Sequence, residues 1–590
     1  MKTRIKSSEK EIVIRGMGTS PGIAQGTVFV FRSFAINITE LEMQAEDVEQ
    51  EKRLFDRAIA KVKEQVKRAQ TLSEAQYNDQ FREIFESQIA FLDDKELILE
   101  IKEEIQNSNL SAVSAVFKIL SVKSEHFIQL ENTYFKERAY DVIDLKQKLI
   151  HALMGIDSDY QLNTPSIVVA DLLTPSDTIH FNRNFILGFL SDKGGKTSHA
   201  AILSRGLKIP SVVNGSNLSQ LLHNGDYIII DGTSGTVIIH PTEETKEKYQ
   251  RLQEKYAGFA GELQTYLAKP ALTTDEQSIE LLANIEFSHE ISEVEKNKAS
   301  GVGLFRTESM FIEKKGAPDE AYQFEHYKHM AERINPAPLV IRTIDLGGDK
   351  FLESYSAEDE MNPFLGWRAI RFCLDQPEIF KTQLRAILRA SAFGNIKILI
   401  PMVSAVDEII RSINFIDEIK EELSADGVAF DKAIQTGIMI ETPAAAMSVA
   451  LYTKYVDFFS IGTNDLTQYV LAIDRTNSRV SKSFNTFNPA VLEFIYKTIQ
   501  TGLEHQKEVT LCGEFAALPE AIPLLLGMGL RSFSMNPVFI AKTKKIIRSL
   551  DIKECERLFN EVRKIDQAEV IEKKCLHFIE SKVPDLKYFI

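Results

Sequence analysis

The chain has 590 residues, 44% of them hydrophobic, and a formal net charge of −15. That length exceeds what one hydrophobic core can organise and predicts three or four domains, while the acidic balance excludes the basic face that a nucleic-acid polyanion requires. No apolar run reaches the roughly 18 residues of a membrane span, and the basic start Met1–Lys6 leads into no apolar segment, so the expected protein is soluble and cytoplasmic, without stable membrane insertion. Cys373, Cys512, Cys555 and Cys575 are scattered, without CxxC or Cys/His metal spacing, and fit free thiols in a reducing compartment.

Residues 12–32 alternate as short strands around Gly16, Gly18 and the turn Ser20-Pro21-Gly22. From about residue 40 the period changes. Phe55, Ala58, Ile59, Val62 and Val66 recur at helical spacing, as do Val113, Val116, Phe117 and Leu120, with a break at Asn107–Asn109. Strand patterns return at 166–170, 186–190, 211–213, 227–232 and 236–239. The strands on either side of the helical block are too few for separate cores. They predict one α/β domain, 1–38 with 154–240, from which helices 39–153 protrude.

A charged helix over about 242–268 ends at Pro270 and reads as a linker, 241–270. In 271–590, eight short apolar runs begin near Leu281, Val302, Leu339, Ile396, Thr436, Val456, Val509 and Ser532, each followed by a helical stretch. Eight β/α units in this length predict a (β/α)8 TIM barrel, whose chemistry sits at the C-terminal ends of its strands. The whole is a multidomain α/β chain.

The polar residues at those ends form a consistent set. Arg306 and Arg342 close apolar runs, and Arg368 and Arg475 lie in following loops. Four planar guanidinium forks suit a small acid bearing carboxylate and phosphate. Glu441 and Asp465 follow the fifth and sixth runs, and two carboxylates beside phosphate oxygens are a common Mg²⁺ set; the alternative is that both cap the helices behind them. Cys512 ends another run, either as core or as a proton donor to a carbanion or enolate.

His199 stands in Gly194-Gly195-Lys196-Thr197-Ser198-His199-Ala200-Ala201, with hydroxyl donors before it and a helical pattern behind. Imidazole is nucleophilic at neutral pH, and a helix N-terminus favours phosphate, so a phosphoryl-accepting role is expected of this histidine.

The segment 194–205, the run Lys136–Val142 and the barrel segments 301–308, 341–350, 362–368, 437–446, 460–469 and 511–514 resemble bacterial enzyme I, the phosphoenolpyruvate–protein phosphotransferases of the sugar phosphotransferase system. The resemblance runs over nearly the whole chain in order. It implies that His199 takes the phosphoryl group of phosphoenolpyruvate and gives it to a histidine of the carrier HPr. It implies that Arg306, Arg342 and Arg475 bind phosphoenolpyruvate, assisted by Asn464 and Arg368. Glu441 and Asp465 would hold Mg²⁺, Cys512 would protonate the departing enolpyruvate, and Thr197 would orient the imidazole. The helical block would dock HPr, the barrel would form a homodimer, and the histidine domain would swing between its two partners.

Three positions depart from the family pattern. Lys196 stands where arginine is usual, Ser309 where phenylalanine is usual, and Ala516-Ala517-Leu518 where Ala-Gly-Asp is usual. Relatives that use ATP need a nucleotide-binding domain, for which the sequence offers no glycine-rich loop. Other readings are a paralogous regulatory relay and a non-catalytic sensor; the latter is opposed by the presence of every reacting residue.

Overall fold

The computed structural model describes residues 11–31, 44, 45, 47–77, 82–129, 133–155, 162, 164–171, 183–194, 201, 204, 205, 209–214, 217–314, 316–346, 362–475, 477 and 479–588. The chain divides into two compact units, Met1–Gly258 and Phe259–Tyr588.

The first unit holds an eight-stranded mixed sheet. Its strands are β1 (Ile12–Arg15), β2 (Met17–Ser20), β3 (Ile23–Phe31), β4 (Ser166–Ala170), β5 (Ile186–Ser191), β6 (Ser211–Val213), β7 (Tyr227–Asp231) and β8 (Thr236–Ile239). The spatial order is β1-β8-β7-β3-β4-β5-β6-β2. β3 joins the two halves: Ile23–Thr27 pair antiparallel with β7, and Thr27–Phe31 pair parallel with β4. β1 and β2 sit at opposite ends of that order although only Gly16 separates them. A Cβ on Gly16 would fall 2.7 Å from the Val213 carbonyl, so this crossing needs a residue without a side chain.

Apolar residues on both sides of the central strands explain their unbroken hydrophobic runs. Val168, Ala170 and Phe189 join one core, and their neighbours Ile167, Val169 and Leu190 join another. The first of these cores is completed by the helices α1 (Val48–Tyr77), α2 (Arg82–Asp93), α3 (Lys95–Asn107), α4 (Ala112–Gln129) and α5 (Thr133–Met154). Phe55, Ala58, Val62 and Val66 of α1 are buried there with Ile101, Val116 and Leu120, as their spacing predicts. The turn between α3 and α4 contains Asn109 at φ 52°, a left-handed position that asparagine tolerates. Glu83 and Glu86 of α2, where the sequence allows either a contact to a basic carrier or an ordinary solvated helix face, have side chains outside the described ones.

Helix α6 (Glu243–Leu267) contains the division between the units. Gln253 near its middle donates to the Ile23 carbonyl at 3.1 Å, and in its last turns Glu262 accepts from Lys545 at 2.7 Å.

The second unit is a closed barrel of eight parallel strands: β9 (Glu280–Ile285), β10 (Val302–Arg306), β11 (Leu339–Arg342), β12 (Ile396–Ile400), β13 (Gln435–Ile440), β14 (Phe458–Ile461), β15 (Glu508–Leu511) and β16 (Ser532–Met535). The expected starts differ from these by two residues at most. The largest difference is at β14, where Val456 still belongs to the turn after the preceding helix and bonds back to the Tyr452 carbonyl at 3.3 Å. Leu304, Val340, Leu399, Met439, Phe458 and Cys512 form one buried cluster across six consecutive strand positions of the barrel.

Candidate active site

The sequence-predicted residues of the barrel come together at its C-terminal end; His199, Lys196 and Thr197 lie outside the described residues. Arg306 and Arg342 are register partners at the last residues of β10 and β11. Arg306 is paired with Glu286, and its side chain is about one-third exposed. Arg342 is buried, with Nη2 2.9 Å from Glu308 and Nη1 2.9 Å from Asp345. Burial alone would favour its neutral form, but Glu308 and Asp345, then Glu441 and Asp465, more than offset this and keep it charged. Its Nε has no hydrogen-bond partner among the described residues.

Arg368 approaches from the residue before the helix Ala369–Asp375. Its Nη2 lies 2.7 Å from Asp345 and 3.7 Å from Asp465, and its Nη1 donates to the Tyr469 hydroxyl at 3.3 Å. Burial opposes its charge, and Asp345 and Asp465 restore it.

Glu441 follows β13 and is 1% exposed. Its Oε1 accepts the Met402 N–H at 2.6 Å, delivered by a left-handed backbone of φ 56° at Met402. A Cβ on Gly462 would lie 2.9 Å from Glu441 Oε2, so glycine there leaves room for the carboxylate. Burial, then the charges of Asp465 and Asp345, pushes the Glu441 carboxyl well above the usual carboxylate range, against the pull of Arg342. The helix-capping alternative fails for both acids: Thr442 caps the helix Pro443–Tyr452, Gly462 occupies the cap position of Thr463–Leu471, and Asp465 lies inside that first turn.

Asp345, Glu441 and Asp465 bring carboxylate oxygens within 4.8 Å of one another and could hold a metal ion. Hard oxygen donors stacked with like charge fit a divalent cation of the Mg²⁺ kind. Asp345 was not singled out from the sequence, nor was Glu308, whose Oε1 binds both Arg342 Nη2 and the Asp345 N–H at 2.9 Å. Each lies a few residues beyond its arginine, and only the fold shows that they meet.

Asn464 and Arg475 converge elsewhere on the rim. Asn464 Nδ2 donates to Glu514 at 3.4 Å, and Arg475 Nη1 stands 4.0 Å from the same oxygen. Ser309, one of the departures, donates to the Glu286 carbonyl at 2.5 Å and so braces the acid that holds Arg306. Cys512 is buried, with Sγ 3.4 Å from the Ile461 carbonyl. Burial, more than the nearby Glu441, pushes its thiol up, against the pull of Ser460 and then of Arg306 and Arg342, so it stays protonated.

A closed parallel barrel with arginines and three carboxylates gathered at its C-terminal end has the architecture of a (β/α)8 enzyme, whose chemistry sits at that end. Three family models match in succession: "PEP-utilising enzyme, N-terminal" over residues 15–138, "PEP-utilising enzyme, mobile domain" over 162–235 and "PEP-utilising enzyme, PEP-binding domain" over 261–552. A phosphoenolpyruvate-protein phosphotransferase of Priestia megaterium is 37% identical over 573 residues, covering 96% of this chain and 98% of that protein. One of Staphylococcus aureus (strain MRSA252) is 38% identical over 565 residues, covering 95% and 98%. An NMR solution structure of an Enzyme I protein, 33% identical, covers 41% of this chain and 99% of its own, with a TM-score of 0.35. The chain belongs to the phosphoenolpyruvate-protein phosphotransferase family and is a transferase.

Proposed function

We propose that this protein takes the phosphoryl group of phosphoenolpyruvate onto His199 and passes it to a histidine of HPr, releasing pyruvate, as the first step of the sugar phosphotransferase system. The observation that carries the reading is the convergence of Arg342, Arg368, Asp345, Glu441 and Asp465 at one end of the barrel in a chain of this family.

Phosphoryl transfer asks a protein for in-line positioning and dispersal of charge more than for covalent chemistry. Arg306 and Arg342 stand side by side to take the carboxylate and phosphate oxygens. Arg368 binds Asp345 and Asp465, Asp345 in turn holds Arg342, and Asn464 and Arg475 close the rim. Glu441 and Asp465 would hold Mg²⁺, which when bound neutralises charge on the phosphate oxygens. As the bond from phosphorus to the enol oxygen breaks, the bond from phosphorus to an unprotonated His199 nitrogen forms, and the electron pair stays on the enolate. The Cys512 thiol then delivers its proton to the enolate carbon, giving pyruvate, and the thiolate regains a proton from water. Thr197 would set which imidazole nitrogen attacks, and Lys196 would keep a positive charge beside it.

The division of labour in this reading assigns His199 to 1–38 with 154–240, HPr docking to 39–153, the linking helix to 241–270, and phosphoenolpyruvate binding and homodimerisation to 271–590. The proposed location is the cytoplasm, supported by the finding that no described helix is long and apolar enough to cross a membrane. The test is to supply phosphoenolpyruvate, Mg²⁺ and HPr without ATP and to measure pyruvate and phosphorylated HPr together. Equal yields support the reading. Pyruvate without phosphorylated HPr, or neither product, overturns it.

A further inference from the structure

The strand ladder ends at Arg342 and Thr343: Arg342 pairs in register with Leu399, and the Thr343 N–H donates to the Leu399 carbonyl at 2.9 Å. Beyond it the backbone still has to hold Asp345 in place, inside a buried segment that pairs with no strand among the described residues. Side chains supply what the strand does not.

The Thr307 hydroxyl donates to the Arg342 carbonyl at 3.0 Å. Gln383, from the helix Pro377–Ala390, accepts the Ile344 N–H on Oε1 at 3.0 Å and donates from Nε2 to the Thr307 hydroxyl at 3.1 Å. The Ile344 N–H fixes which end of the amide is oxygen, so Thr307 accepts from Gln383 and its own proton is free for Arg342. Behind them Gln383 Nε2 reaches the Tyr327 hydroxyl at 3.4 Å, Tyr327 donates to Gln323 Oε1 at 3.0 Å, and Gln323 Nε2 donates to the Pro318 carbonyl at 2.9 Å. Thr307, Gln383, Tyr327 and Gln323 are all buried, and every link has one donor and one acceptor. Such a chain is rigid only while it is complete.

We infer that Thr307 and Gln383 are positioning residues for the anion-binding end of the barrel: they take the place of a strand ladder beyond Thr343 and fix the backbone between Arg342 and Asp345. The inference rests on the proposed phosphoenolpyruvate reaction. It assigns control of substrate affinity to two uncharged residues whose hydrogen bonds go to backbone and to neighbouring buried side chains.

The test uses the full chain and two half-reactions. Thr307→Val keeps the shape and loses the hydroxyl; it is expected to raise KM for phosphoenolpyruvate about tenfold, the effect of a displaced binding group. The transfer from already phosphorylated protein to HPr, which does not use the barrel site, is expected to stay at the wild-type rate. Thr307→Ser, which restores the hydroxyl, is expected to stay within about twofold of wild type. If Thr307→Val does not fold, Gln383→Met replaces it with the same expected split. An unchanged KM, or an equal fall in both half-reactions, overturns the inference. If the wild-type protein itself accepts no phosphoryl group from phosphoenolpyruvate, the proposed function fails instead, and the two failures are distinct.

Discussion

Arg306 and Arg342 are register partners across β10 and β11, yet they differ in burial and in the acids that hold them. Arg306 is one-third exposed beside Glu286, and Arg342 is buried between Glu308 and Asp345. Both arginines are proposed to bind the same substrate, so their replacement should weaken it alike, while the cost in stability should differ. Arg342→Ala leaves Glu308 without a cation in a dry site and should cost about 3 kcal/mol or more; Arg306→Ala should cost about 1 kcal/mol or less. Urea unfolding of both variants, with KM for phosphoenolpyruvate, separates the two effects. Equal losses of stability would contradict the difference in burial.

Cys512 is held in the apolar cluster of the barrel with its thiol pushed up, a state that keeps the proton available for transfer. Cys512→Ala should slow pyruvate formation by about 10²–10⁴-fold, the range of a lost general acid. Phosphoryl exchange between the protein and HPr should be unaffected. An equal fall in both steps would remove the proton-donor role.

Glu441 is a buried acid among like charges, a costly arrangement for the metal-free fold. Glu441→Gln keeps the oxygen that accepts from Met402 and removes the charge. The metal-free variant should be at least as stable as wild type in urea, while phosphorylation from phosphoenolpyruvate falls by about a hundredfold or more. Adding a chelator to the wild-type protein should abolish that phosphorylation, and Mg²⁺ should restore it. Activity that survives either treatment would exclude Glu441 and Asp465 as the metal pair.

At the opposite end of the barrel Glu280 is half-buried and accepts from Ser532 at 2.7 Å. Burial, then Glu508, raises its carboxyl above the ordinary value, against the pull of Ser532 and Lys397. A carboxyl raised in the folded state binds its proton more tightly there than in the unfolded chain. Stability from this group is therefore present at low pH and lost as pH rises from the unfolded value through the folded one. Glu280→Gln should match wild type in acid and become the more stable of the two as pH rises to neutrality. Denaturant midpoints across pH 4–8 check the sign, and a gap that shrinks as pH rises would contradict it.

Much of this architecture was legible because the barrel strands carry dense apolar runs with turn signals between them. Glu441 stood out because a charged residue at the end of Gly437-Ile438-Met439-Ile440 has no place in an apolar run. Asp345 and Glu308 did not. Each sits in a polar stretch after its strand, and its meaning lies in a meeting with Arg342 across β10 and β11 that no local pattern encodes. Gln383 was hidden more deeply, as a helical residue about forty positions from the backbone it holds. The sheet of the first unit was legible as strands but not as an order, because β3 pairs with strands far along the chain on both sides.

Whether His199 carries the phosphoryl group is decided by labelling. The protein is incubated with phosphoenolpyruvate labelled in its phosphate, with Mg²⁺ and without ATP, beside the variant His199→Ala. An acid-labile, base-stable label is expected on the wild-type chain and none on the variant. A label that persists on His199→Ala, or a wild-type chain that takes none, would contradict that role for His199.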